Sequence, residues 1–420
     1  MEKSANGRAL IFFTSTFPCG AGETFIENEF PFLLSSFEKI IIVTGNLTDE
    51  ITRQVPDHVK VMRYPYEPGT KFKFYSVLCF LSPDFWRELA FIKSAPSVKF
   101  SIAVLKTMFE AFAKTIQTSL LLKKIVRDEN LTNNSIFVYS YWMNNNAIGA
   151  AHFSMLNPRV KSFCRAHGWD VYFERHNPPY LPFRNFIFKN ANACFCISAN
   201  GQKYLNEITA NRLSNKIKLA RLGTFNVTTS KSSSSKNGFT IVSCSNIIPL
   251  KRINLLIEAI ALLKEENIRW FHFGSGNLEE QISALAREKL SPKANVQFQF
   301  MGQTANADVL KFYKENSVDV LVNTSETEGL PVSMMEAMSY SIPVIATNVG
   351  GVAEIVEHEH NGLLLSPNPS PEELAVALQK FMYLSDEERN AYRQNAFNTW
   401  NEKYNAEKNY MAFVSEILSL

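Results

Sequence analysis

The stretch that most constrains this chain runs over residues 319–356 and contains Asn323-Thr-Ser-Glu-Thr-Glu-Gly-Leu-Pro-Val-Ser-Met-Met-Glu336. Residues 319–322, Asp-Val-Leu-Val, are a short apolar run of buried-strand length. Pro331 stands where the first turn of a helix tolerates proline, and Val332, Met335 and Met338 recur at helical spacing. The chain is therefore expected to leave a strand, turn through residues 326–330 and enter a helix whose amino end points at that turn. Such an end presents N–H groups without intrahelical partners and a partial positive charge, which together bind phosphate. Glu328 lies before the helix and Glu336 inside it, with seven residues between them. Two carboxylates beside an anion site would repel phosphate, so they read as acceptors for sugar hydroxyls. The arrangement suits a ligand with phosphate in its middle and a sugar at each end, a nucleotide-sugar.

A chain of 420 residues is long enough for two domains at about 150–200 residues each. Hydrophobic residues make up 46% of it, ample for two cores. A net charge of +3 is too small to mark a nucleic-acid binder. The six cysteines show no Cys-x-x-Cys pairing and no metal-ligand spacing, so they read as buried, reduced thiols of a cytoplasmic protein. The apolar run after Arg8 is too short for a signal peptide, and no run approaches the roughly 18 apolar residues that would cross a bilayer. The expectation is a cytoplasmic chain, soluble or peripheral on the inner face of the plasma membrane.

Glu-Gly-Leu-Pro-Val-Ser-Met-Met-Glu over 328–336, followed by Pro-Val-Ile-Ala-Thr over 343–347 and Gly-Gly-Val-Ala-Glu-Ile-Val over 350–356, resembles the donor-site signature of the retaining glycosyltransferases of family 4. The resemblance implies a GT-B architecture: two Rossmann-like, doubly wound α/β domains facing across a cleft, with a C-terminal helix crossing back to the first. It implies that Glu328 contacts the region of the transferred sugar and Glu336 the ribose hydroxyls. Gly329, Leu330 and Pro331 then form the turn whose amides help to hold the donor.

In the first half, residues 8–14 read as a buried strand, 17–22 as the loop after it and 23–31 as the start of a helix. Gly20 and Gly22 permit close backbone approach, and in the resembling family this loop faces the donor phosphates and the acceptor. Residues 160–165 are a further strand leading into Ala166-His167-Gly168-Trp169-Asp170. A polar loop at a strand's carboxyl end is where an α/β sheet places its chemistry, and the resemblance implies a contact from His167 to the donor sugar. Arg165 and Asp170 are its candidate supports; Asp170 is equally suited to capping the next helix.

Residues 71–127 break the α/β rhythm with ten Lys or Arg against three acids, a local charge of +7, and ten interleaved aromatics. Basic, aromatic helices suit an anionic membrane surface; they equally suit a helical layer packed on the sheet with solvated lysines.

The Ser-rich stretch 228–238 reads as a flexible connection. Strand 239–244 opens a second α/β unit, and Lys251-Arg252 follow just before an amphipathic helix. Two cations at a helix start oppose the helix dipole unless an anion sits there. A diphosphate leaving group is such an anion, and the resemblance gives Lys251 this contact. The family's usual arginine five residues earlier is replaced by Asn246, so Arg252 is the candidate second cation.

The expected organisation is an acceptor-side domain over 1–225, a linker over 226–238, a donor domain over 239–385 and crossover helices over 386–420. The expected activity is retaining hexosyl transfer from a UDP- or GDP-linked sugar to a glycan or lipid-linked saccharide acceptor in bacterial polysaccharide assembly. Asp-x-Asp does not occur in the sequence, so no required metal and no other cofactor is expected. Two rivals stay open: a non-catalytic binder of sugar nucleotides or glycans, and a dinucleotide-dependent oxidoreductase. The second lacks a third glycine and a spaced acid after Gly274-Ser-Gly276.

Overall fold

The computed structural model describes residues 7–20, 22–65, 70–94, 98–226, 238–264 and 267–420. It divides into two compact units, one comprising Met1–Arg221 with Tyr410–Leu420 and the other Leu222–Asn409. Most of the expected linker, residues 227–237, lies outside the described residues.

The first unit runs β1 (Arg8–Thr14), α1 (Ile26–Leu34), β2 (Lys39–Thr44), β3 (Val59–Arg63), α2 (Thr70–Leu78), α3 (Pro83–Ser94), α4 (Ile102–Asp128), β4 (Ser135–Ser140), α5 (Asn145–Leu156), β5 (Val160–Ala166), α6 (Arg184–Asn190), β6 (Ala193–Cys196), α7 (Ala199–Ile208) and β7 (Ile217–Leu219). Its seven strands form one sheet in the order β3-β2-β1-β4-β5-β6-β7, and every pairing is parallel. Parallel sheets are covered on both faces, which is why these strands are nearly uninterrupted apolar runs rather than alternating ones. Along β1, Leu10 and Phe12 join the cluster that also holds Phe30 and Phe413, while Ala9, Ile11 and Phe13 join the cluster beneath Leu122 and Ile125 of α4. Strand order reverses between β1 and β4, so the loops leaving these two strands flank a topological switch point, where α/β sheets place ligands.

The second unit runs β8 (Phe239–Cys244), α8 (Ile253–Leu262), β9 (Ile268–Phe273), α9 (Glu279–Leu290), β10 (Val296–Phe300), α10 (Asn306–Glu315), β11 (Val320–Asn323), α11 (Val332–Ser339), β12 (Val344–Thr347), α12 (Val352–Ile355), β13 (Gly362–Leu365), α13 (Pro371–Met382) and α14 (Asp386–Lys403). Its six strands are again parallel, in the order β10-β9-β8-β11-β12-β13, and reverse between β8 and β11. The chain changes unit inside its last helix, α15 (Ala406–Leu418), since Tyr410 onward belongs to the first unit. There Phe413, Val414 and Ile417 are buried in the cluster that contains Phe12, Tyr139 and Phe163.

Two local expectations shift. The helix expected from Glu23 begins at Ile26, because Glu23 adopts a left-handed backbone (φ 55°) and turns its carboxylate back onto the preceding loop. Pro331 caps α11 from outside with an extended backbone instead of occupying its first turn. Among the described residues no helix is long and apolar enough to cross a membrane.

Candidate functional site

In the second unit the loops leaving β8 and β11 meet at the switch point and are laced together. The Thr324 hydroxyl donates to the carbonyls of Lys251 (2.8 Å) and Arg252 (3.0 Å), and the Glu326 amide donates to the Leu250 carbonyl (2.8 Å). The tight turn Pro249–Lys251 and a left-handed Arg252 (φ 47°) then feed α8. This brings together residues far apart in the chain: the Lys251 ammonium donates to Glu328 Oε1 at 2.6 Å. The same oxygen accepts from Ser325 Oγ (2.6 Å) and Asn323 Nδ2 (3.2 Å), so the carboxylate is held from three sides.

The neighbouring cation has a different fate. The Arg252 guanidinium donates to the carbonyls of Thr324 (2.6 Å), Ser325 (3.1 Å) and Pro367 (3.2 Å) and to Asn368 Oδ1 (2.8 Å). The Arg252 guanidinium is turned onto four framework oxygens and clamps the loops, a structural role beside the phosphate contact expected of it. The apparent excess of positive charge before α8 is met by Glu328 and by carbonyl dipoles.

Gly329 and Leu330 form the turn into α11. The Gly351 amide donates to the Gly329 carbonyl at 3.0 Å, and a Cβ on Gly351 would stand 2.1 Å from that oxygen. The glycine after β12 is thus what lets the two loops close, with Leu330 buried beneath. The first N–H groups of α11 have no intrahelical acceptor. On the buried side of α11, Glu336 accepts from Asn306 Nδ2 at 2.7 Å, and burial pushes its carboxyl up to about 7. Glu328 and Glu336 are therefore unlike: one is a charge partner of lysine, the other an acid whose charged form is disfavoured by burial. Asn306, Asn323 and Ser325 escaped the sequence reading because each is polar and unremarkable until the fold sets it against a glutamate.

In the first unit, His167 follows β5 and is buried. Its ring lies 4.4 Å from that of Trp142 and 4.9 Å from that of Tyr141, measured between centroids. Among the described residues both ring nitrogens are buried without a hydrogen-bond partner, and Nδ1 lies 3.8 Å from Asp170 Oδ2, beyond hydrogen-bond range but within reach of its charge. Unsatisfied buried polar atoms are uncommon and call for an explanation; an imidazole that awaits a ligand is one. Asp170 accepts the His167 amide (2.5 Å) and the Met143 amide (2.7 Å), tying the loop after β5 to that after β4 instead of capping a helix. Burial acts to raise its carboxyl, but His167, Arg184 and the Met143 amide together hold it below its ordinary value.

Arg165 also departs from expectation. It is fully buried, ion-paired to Glu29 at 2.9 Å, hydrogen-bonded to Tyr139 Oη and the Ala220 carbonyl, and stacked 4.0 Å over Phe413. Its direct partners belong to the core. Gly20 and Gly22 have structural partners as well: the Arg53 guanidinium donates to both carbonyls, and a Cβ would stand 2.3 Å from Asp49 Oδ2 or 2.6 Å from Thr16 Oγ1 respectively. The amides of Ser15, Thr16 and Phe17, which a phosphate loop would offer to its ligand, donate to the Glu23 carboxylate, which also accepts from Trp142 Nε1. An internal carboxylate thus occupies the anion cradle. Glu23 is the residue that sequence reading missed; a glutamate directly after Gly-Ala-Gly was the available signal.

The fold is that of the GT-B glycosyltransferases, two parallel-sheet Rossmann-like units. It matches the Anabaena protein HepE in complex with UDP and glucose over 98% of this chain and 100% of that one (TM-score 0.65, 17% identity), and the lipopolysaccharide outer core galactosyltransferase WaaB over 94% and 98% (TM-score 0.61, 15% identity). Residues 226–399, which hold the Lys251–Glu328–Glu336 constellation, match the family of glycosyl transferases group 1. Curated relatives include an uncharacterised glycosyltransferase of Haemophilus influenzae (31% identical over 36% of this chain), the amylovoran biosynthesis glycosyltransferase AmsK of Erwinia amylovora (27% over 33%) and the putative colanic acid biosynthesis glycosyltransferase WcaL of Escherichia coli (28% over 35%). The matched stretches span 43%, 34% and 37% of those proteins' lengths.

Proposed function

We propose that this protein is a glycosyltransferase that moves a hexose from a nucleoside-diphosphate donor to a glycan or lipid-linked saccharide, in the assembly of a bacterial polysaccharide. The observation that carries this reading is the constellation at the switch point of the second unit: an ammonium, a carboxylate and a helix amino end in loops that close on one another, inside the segment matching glycosyl transferases group 1. Lys251 is assigned to the diphosphate, where a fixed cation stabilises the charge that grows as the glycosidic bond breaks. The amides at Gly329 and Leu330 share that task. Glu328 positions the transferred sugar and Glu336 accepts the ribose hydroxyls. His167, whose ring nitrogens make no hydrogen bond among the described residues, is assigned a polar contact to substrate. UDP-linked ligands in HepE support a nucleotide-sugar donor.

The reading includes retention of anomeric configuration, with the acceptor hydroxyl attacking from the face that the diphosphate leaves. It includes independence from metal, since Lys251 supplies the charge that a metal would and Asp-x-Asp is missing from the sequence. Cytoplasmic placement at an anionic membrane surface, through residues 71–127, completes it.

Thermal stability measured with UDP, GDP, ADP and NAD in parallel tests the donor class. A ligand at about a hundred times its dissociation constant adds roughly 2.7 kcal/mol, so one nucleoside diphosphate should raise Tm in the wild type and raise it less in Lys251→Ala. Stabilisation by NAD alone would turn the reading to an oxidoreductase. Stabilisation by a nucleoside diphosphate without turnover of any nucleotide-sugar would turn it to a binding protein. Where turnover is found, NMR of the nascent product decides the anomer, and activity in excess EDTA decides the metal.

A further inference from the structure

The first unit holds a cavity that the glycosyl-transfer reading does not use. It is a pocket of about 450 Å³ formed where α2, α3, α4, α5 and α6 converge, walled by Leu78, Phe112, Ile116, Ile148, Phe183 and Phe186. Volumes of this order accommodate small ligands. Much of its polar lining is engaged within the protein: the Thr115 hydroxyl donates to the Ala111 carbonyl (2.8 Å), His152 Nδ1 meets Ser119 Oγ (3.1 Å), and Asp84 pairs with Arg87 (2.7 Å). Burial lowers the His152 pKa, favouring the uncharged ring. Ser82 and the second His152 nitrogen are the remaining polar groups of a lining that is otherwise apolar, so hydrocarbon meets a largely apolar wall on entry.

Two lining residues, Leu81 and Met155, are also exposed to solvent, Leu81 by 82%. The helical layer beside them exposes Phe74, Val77, Phe80 and Trp86 as well. Trp86 donates its Nε1 to the Phe80 carbonyl and leaves its ring outward, the amphipathic form that favours a membrane interface. Exposed cations stand on the same layer, Lys93 on α3 and Lys99 just before α4, within the segment whose local charge is +7.

We propose that this pocket binds one hydrocarbon chain of an anionic membrane amphiphile, drawn from the bilayer past Leu81 while the basic layer meets the headgroup. The pocket is independent of the switch-point constellation, while its bilayer source rests on the membrane placement proposed above for residues 71–127.

The test is isothermal titration of the full chain with dodecyl phosphate below its critical micelle concentration, beside butyl phosphate and dodecylphosphocholine. Saturable binding of dodecyl phosphate is expected, at least tenfold tighter than either comparison. Ile116→Trp, which fills the pocket, and Leu81→Asp, which makes its rim polar, should each weaken binding at least tenfold while leaving nucleoside-diphosphate stabilisation unchanged. If Ile116→Trp does not fold, Leu81→Asp decides, since that side chain is solvent-exposed. No saturable binding, or equal binding by Leu81→Asp, overturns the site. Equal binding of butyl phosphate overturns the hydrocarbon, and equal binding of dodecylphosphocholine overturns the anionic headgroup. Sedimentation with phosphatidylglycerol vesicles but not with phosphatidylcholine vesicles, lost in Leu81→Asp, is the expected membrane result. Failure to sediment with either, alongside monomer binding, overturns the bilayer as the source.

Discussion

Lys251 and Glu328 neutralise one another at 2.6 Å, so an incoming diphosphate must compete with Glu328 for the ammonium. Opposite effects of the two deletions follow. Lys251→Ala removes a charge-assisted hydrogen bond of about 1.5–3 kcal/mol and should weaken nucleoside-diphosphate binding by roughly 10- to 100-fold on titration calorimetry. Glu328→Gln frees the ammonium, and should bind the diphosphate at least as tightly as wild type while transferring sugar far more slowly. Glu336 makes a pH prediction. Burial raises its folded-state pKa from 4.5 to about 7, so below 4.5 the group is neutral in both states and carries no penalty. As pH rises from 4.5 to 7 the unfolded chain releases its proton first, and stability falls. Above 7 the penalty levels off near ~3 kcal/mol as an upper estimate. Glu336→Gln should therefore gain Tm over wild type on going from pH 5 to pH 8. If the ionised carboxylate receives the ribose hydroxyls, wild-type nucleotide affinity should rise with pH up to about 7, and that of Glu336→Gln should be lower and flat.

At the scale of elements, the site depends on loops closing on one another more than on any one helix. The turn before α11 is held from outside by Gly351, whose amide bonds Gly329 and whose missing Cβ leaves room for that carbonyl. Gly351→Ala places a methyl 2.1 Å from a backbone oxygen, which cannot swing aside as a side chain would. A cost of about 1–3 kcal/mol is expected for such overpacking. The more telling effect is on function, since the Glu328–Leu330 turn must shift: nucleoside-diphosphate affinity should fall although the substituted residue carries no polar group. Denaturant unfolding and calorimetry on the same variant separate the two. In the first unit Glu23 plays the corresponding part, joining the amides after β1 to Trp142 and, through that ring, to the wall beside His167.

At the scale of the whole molecule, the chain builds two parallel sheets in sequence and returns its last residues to the first. Tyr410, Phe413 and Ile417 are buried there, and Phe413 roofs the Arg165–Glu29 ion pair. Deleting residues 410–420 would remove those three side chains, each worth about 1.5–3 kcal/mol of burial, and open a buried charge pair to water. Roughly 5 kcal/mol of lost stability is expected, a large share of what a domain possesses. Limited proteolysis should then cut the first unit while the second, which holds Leu222–Asn409, stays resistant.

Much of this was legible in the chain. Uninterrupted apolar runs such as residues 9–13 and 40–43 demand strands covered on both faces, because a one-sided strand would alternate. The turn and helix over 323–339 were legible too, since a strand, a Gly-Leu-Pro turn and a helical period follow within a few bonds of one another. Partner choice was not legible. Lys251 meets Glu328 across 77 residues and Trp142 meets Glu23 across 119. Periodicity assigns a side chain to a face but says nothing about which distant group will share that face. Hence Arg165 and His167, two residues apart, part company: one is drawn into a core ion pair and the other makes no ring hydrogen bond among the described residues. Arg252, adjacent to Lys251, turns to carbonyls while its neighbour takes the carboxylate. Local sequence determined the strands, the turn and the residue types available for chemistry. Tertiary structure decided which partner each of those charges takes inside the fold, because the energy of a buried charge depends on what surrounds it in space.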